Sequence, residues 1–150
     1  MKKSSDNVSQ HAKERQDLRK RTKEFALRII KLFAALPKTV EAQILGKQLL
    51  KSGTSAGAHY REACRAKSDA DFISKIEGAL QELDETQYWL ELIGEGNIMA
   101  WSRLQSLYDE AGELMAMFVT MVKNVKGKAD GYRKRGVIPH PSSLIPRNHG

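Results

Sequence analysis

Residues 51–63 read KSGTSAGAHYREA, and seven small residues stand together in it, Ser52 to Ala58, with glycines at 53 and 57. Such a run suits a phosphate-cradling loop, a flexible linker, or a helix thinned so that something can lie against it. The flanking residues decide among the three. Leu45 and Leu49 before the run, and Tyr60 and Ala63 after it, stay in helical phase with Ser52 and Ala56. At ~100° per residue, Lys47, Lys51, Thr54, Ala58, Arg61 and Arg65 fall on the opposite face. A P-loop requires G-x-x-x-x-G-K-[ST] after a buried strand, whereas Gly53 and Gly57 enclose three residues inside a helical pattern. The stretch is therefore the middle of an amphipathic helix spanning about residues 39–67. Two interior glycines cost ~1 kcal/mol each relative to alanine, and close packing is the expected compensation. Ser52, Ala56 and Tyr60 face the interior, while Gly53, Gly57 and Cys64 open a flank on which another helix can lie, a helix-packing or oligomer contact.

Three more segments carry helical periodicity, and none alternates with period two. The first spans about residues 11–36, with Phe25, Ile29, Leu32, Phe33 and Leu36 on one face, and Pro37 stops it. The third opens at Ser68, a capping residue followed by Asp69 and Asp71, and closes at Gly94-Glu95-Gly96-Asn97. The fourth spans about residues 99–125, with a wide stripe that includes Leu107, Leu114, Phe118 and Val122. Four helices joined by short connections predict an all-α, antiparallel up-down four-helix bundle over residues 11–126. Residues 127–150, basic and rich in glycine and proline, read as a disordered tail.

Charge is unevenly placed. The chain carries +7 overall, distributed as +6 over residues 1–36, +4 over 37–67, −7 over 68–98, −2 over 99–122 and +6 over 123–150. Basic ends and an acidic centre suit a polyanionic partner or self-association of unlike surfaces. Arg19, Arg21 and Lys23 on the first helix, with Lys47, Lys51, Arg61 and Arg65 on the second, are the expected nucleic-acid contacts. Lysine and arginine on such faces displace counterions from phosphates with little base selectivity.

Other chemistry finds no footing. Cys64 is the single cysteine, which excludes an internal disulfide and a thiolate zinc site within one chain, and it reads as a small buried residue rather than a nucleophile. His59 has Glu62 three residues on, a spacing that permits acid–base pairing but more simply marks a helix surface. The two Glu-x-x-His motifs of a di-iron bundle are missing, and the letters G-x-S-x-G at residues 53–57 stand inside a helical pattern rather than at the strand-to-helix turn of a nucleophile elbow. No cofactor, metal or catalytic residue is expected. No apolar run reaches the ~18–20 residues of a membrane span, and the polar N-terminal stretch does not read as a secretory signal, so a cytoplasmic location is expected.

The stretch SGTSAGAHYREACRAKSDADFISKIEGALQELDETQYWLELI, residues 52–93, resembles the 23S ribosomal RNA intervening-sequence proteins, and the likeness extends over about residues 25–126. The features that carry it are the Ser/Gly/Ala run, Glu62-Ala63, Ala66, Ser68, Asp71-Phe72-Ile73, Lys75, Ala79-Leu80, Glu82, Glu85-Thr86 and Tyr88-Trp89-Leu90-Glu91-Leu92. Departures fall at Gly78, at Leu83, and at His59-Tyr60, where a more usual pair is asparagine with an aliphatic residue. The resemblance implies an up-down four-helix bundle that forms homo-oligomers. In the branch that serves diversity-generating retroelements it implies a pentamer that binds nucleic acid (RNA, DNA or a hybrid) and partners a reverse transcriptase. The functional expectation is a non-enzymatic, oligomeric nucleic-acid-binding accessory protein. The alternative is an adaptor between proteins, in which an acidic third helix meets a basic partner.

Overall fold

The computed structural model describes residues 2–136, apart from the side chains of residues 2–4 and 132. Its elements are α1 (Lys2–Ala35), α2 (Val40–Cys64), α3 (Asp69–Glu95), a single 3₁₀ turn (Trp101–Arg103) and α4 (Gln105–Lys134). Together they form an all-α, up-down four-helix bundle, as the periodicity requires. The α1–α2 and α2–α3 connections are tight because the local chemistry is explicit. Pro37 bars helix continuation, and the Thr39 hydroxyl accepts from the Ala42 N–H at 3.4 Å to start α2. Ser68 does the same for α3, accepting from the Asp71 N–H at 3.1 Å, with Asp69 and Asp71 against the positive end of the helix.

The small-residue run is in mid-helix, and its two flanks are used differently. A Cβ at Gly53 would stand 2.7 Å from Ile29 Cγ1 on α1, and one at Gly46 would stand 2.7 Å from Leu36 Cδ1. At Gly57 the nearest atom is Thr22 Oγ1, 3.2 Å away. The glycines thus let α1 of the same chain lie against α2. Of the two expected uses of this flank, a helix-packing or an oligomer contact, the glycines serve packing within the chain. On the α3 side, the buried hydroxyls of Ser52 and Thr86 lie 2.8 Å apart, each also within reach of a carbonyl of its own helix, Leu49 and Glu82. Ala56 and Tyr60 complete the inward face. The Tyr60 ring meets Phe118 of α4 at 5.4 Å, and its hydroxyl donates to the Arg15 carbonyl at 3.2 Å.

The core runs the length of the bundle through Phe25, Ile29, Leu49, Phe72, Ile76, Leu83, Leu90, Leu104, Leu114 and Phe118. Pairing is closest between α2 and α3, where small residues allow it. The α1–α4 seam is looser and bridged by polar side chains: Arg28 donates to Ser106 at 2.7 Å, and Arg21 reaches Glu110 and Glu113.

Three helix boundaries differ from the sequence reading. α1 begins at Lys2, not near residue 11, although every described residue from Ser5 to Glu14 is exposed. The stretch before α4 is not helix: Ala100 is extended, and one 3₁₀ turn turns the chain so that Met99 and Leu104 are buried. α4 passes straight through Gly127 and ends at Lys134, with Gly136 in the left-handed region at φ 65°. A single exposed glycine costs a helix only ~1 kcal/mol, whereas a left-handed glycine after the last turn is a true stop. The tail expected from residue 127 is therefore helical at its start, and its part beyond residue 136 lies outside the described residues.

Candidate nucleic-acid interface

The up-down topology brings the α1 start, the α2 end and the α4 end to one end of the bundle, beside the α2–α3 connection. Several contacts define this juxtaposition. The Tyr60–Arg15 hydrogen bond ties the last turns of α2 to α1. Arg15, Arg19 and Arg65 all act electrostatically on Cys64, and Lys128 of α4 acts on Asp69 of α3. A groove between the α3 start and the α4 end is floored by Ile73 and Val125 and edged by Asp69, Lys126, Asp130 and Arg133. The three basic blocks of the sequence thus converge here, while Glu77, Asp84 and Glu85 lie exposed further along α3. Val125 is the last residue of α4 known to be buried, so the two terminal helices run past the α2–α3 hairpin as exposed arms.

The structure places the expected contact residues in three groups. Arg61 and Arg65 are exposed at this end, one turn apart, and Arg19 is half-buried beside them. Lys23, Lys47 and Lys51 are exposed along the flank of the bundle. Lys47 stands ~21 Å along α2 from Arg61, given a 1.5 Å rise per residue. Arg21 is different: its guanidinium pairs with Glu110 and, at 2.9 Å, with Glu113, and lies 3.5 Å from Met117 Sδ. The hydrogen bond to Glu110 is the main cause that raises its pKa above the ordinary value, against partial burial. Arg21 joins α1 to α4 and is compensated within the chain. Sequence reasoning did not single out Lys126, which it placed at the end of the fourth helix, nor Lys128 and Arg133, which it assigned to a tail; Lys126 and Arg133, at i and i+7, share one face of α4.

The residues weighed for chemistry do not meet. His59 Nε2 lies 3.8 Å from Glu82 on α3, and Glu62 pairs with Lys75 at 3.3 Å, so the His59–Glu62 pair does not form. Burial pushes the Cys64 thiol and the Tyr60 phenol up, which keeps both neutral. Desolvation raises the Asp69 carboxyl in the α3–α4 groove. The Tyr108 phenol, raised by its hydrogen bond to Glu91, is at the opposite end. Among the described residues no cluster of metal-ligating side chains occurs, and no helix is long and apolar enough to cross a membrane.

Comparison with known proteins agrees with this architecture. No curated protein matches the chain. A crystal structure of a protein of unknown function from the S23 ribosomal protein family of Bacteroides thetaiotaomicron matches at 37% identity, covering 71% of this chain and 98% of that one, with a TM-score of 0.67. The family model described as 23S rRNA-intervening sequence protein matches residues 14–120, which spans all four helices and omits most of both arms. The chain belongs to the 23S rRNA-intervening sequence protein family.

Proposed function

We propose that this protein is a non-enzymatic, oligomeric accessory protein that binds nucleic acid through its basic end. The convergence of Arg19, Arg61, Arg65, Lys126 and Lys128 from three helices carries this reading. Charges that are merely solubilising have no reason to gather, since like charges concentrated at one end repel one another. The family description, which names 23S rRNA, and the neighbour's place in a ribosomal protein family support an RNA association. A reverse transcriptase is the polypeptide partner to test if the chain belongs to the retroelement branch of the family it resembles rather than to the ribosomal RNA intervening-sequence branch.

Binding to RNA, DNA and an RNA–DNA hybrid across a salt series is the test. The expected result is affinity that falls steeply as salt rises from ~50 to ~200 mM. Undetectable binding to all three at ~50 mM would dismiss the proposal. One observation favours the adaptor reading instead. The far end of the bundle exposes Tyr88 and Trp101 near the carboxylate-rich surroundings of Tyr108. Aromatic rings among carboxylates suit lysine- or arginine-rich polypeptides. A protein recovered with this chain after nuclease treatment, in the absence of nucleic-acid binding, would select the adaptor.

A further inference from the structure

The basic end also limits the form of nucleic acid it can hold. Proteins that grip single strands combine a basic groove with aromatic side chains on which successive bases stack, worth ~1–3 kcal/mol per base. This end offers no such platform among its described side chains. Tyr60, Phe72 and Phe118 are at most 1% exposed. The exposed aromatic Trp101 packs on Gly94, at the far end of α3, ~38 Å from Asp69 at 1.5 Å per residue.

What the end does offer is charge spread in two dimensions on rigid supports. Arg61 and Arg65 lie on α2, Arg19 on α1, and Lys126, Lys128 and Arg133 on α4. Packed helices are ~8–10 Å apart. A single strand presents one line of phosphates and can follow only part of such an array. A duplex presents two lines across a groove of ~6–12 Å, with one charge per ~1.7 Å of axis, and releases more counterion per contact, ~0.9 against ~0.7. A site that acts by charge alone therefore favours the denser polyanion.

From this we infer that the ligand of the basic end is double-helical nucleic acid, held by its phosphates with little regard to base identity. The inference rests on the nucleic-acid reading above and deepens it.

The experiment compares the full-length protein binding to a ~20-bp RNA or DNA duplex and to an unstructured single strand of the same length. The salt dependence of each is measured at and above ~100 mM. The expected result is at least about 10-fold tighter binding to duplex, with a steeper salt slope. Arg61→Gln with Arg65→Gln, checked for retained helicity, should lower the duplex slope by about two. Tyr132→Ala, which removes the aromatic residue of the α4 end, should leave both affinities unchanged. Single-strand binding as tight as duplex binding, or a marked loss in Tyr132→Ala, would overturn the duplex assignment while leaving nucleic-acid binding intact. Failure of both ligands to bind would overturn the functional proposal itself.

Discussion

His59 and Gly78 are two positions at which this chain departs from the pattern it otherwise resembles, and the fold places one against the other. A Cβ at Gly78 would stand 3.2 Å from His59 Nδ1 and 3.3 Å from Cε1. The imidazole is larger than the side chain usual at its position, and the missing Cβ on α3 makes room for it. The two departures are therefore one adjustment of the α2–α3 contact. Gly78→Ala should cost stability despite the ~1 kcal/mol gain in helix propensity. In a His59→Asn background the same substitution should become neutral or stabilising. A double-mutant cycle by denaturant unfolding measures the coupling, expected at about 1 kcal/mol, and strict additivity would dismiss it. This pairing was not legible beforehand, because the partners are 19 positions apart in sequence and only the α2–α3 register brings them together.

At the scale of elements, the capped helix starts were readable and the helix ends less so. Thr39 and Ser68 declare their helices through a side-chain oxygen acting on an N–H three residues on, a relation local in sequence. The end of α4 was misread because Gly127 looks like a stop. A helical glycine stops a helix only when its backbone turns left-handed, and that occurs at Gly136, not at Gly127. At Gly127 a Cβ would meet nothing within 4 Å. Gly127→Ala should therefore stabilise the end of α4 by ~0.5–1 kcal/mol, seen as a gain in helical circular dichroism and slower amide exchange beyond residue 127. Loss of helicity would show that α4 does end near this residue. The exposed run of α1 before His11 has no apolar stripe to announce it, and so its helical character was missed as well.

For the whole molecule, the glycine flank of α2 is occupied by α1, so the proposed self-assembly would have to use another surface. Leu27 and Ile30 of α1 are 56% and 46% exposed, and Val40 and Ile44 of α2 are 75% and 58% exposed. These are the apolar residues that a second copy would cover. Light scattering at tens of micromolar, the range of ordinary micromolar association, should show an oligomer, and Leu27→Glu with Ile44→Glu should weaken it without unfolding the bundle. A monomer in the unaltered protein would remove the oligomeric part of the proposal. Arg21 marks the other lesson at this scale. By sequence it is one cation among several near the start of α1, but the fold sets it between Glu110 and Glu113. The same folding gathers Arg61 and Arg65 of α2 with Lys126 and Lys128 of α4 at one end, where Asp69 and Asp130 edge the groove beside the α4 cations.

The sequence by itself determined that there are four helices, where two of them start, which residues form the core, and that KSGTSAGAHYREA is mid-helix, because periodicity and capping act within a few residues. Tertiary structure alone decided which helix fills the glycine flank, which arginine is compensated by carboxylates, and that three separate basic blocks form one surface. Those outcomes depend on helix order and register, which set long-range distances that no local spacing encodes.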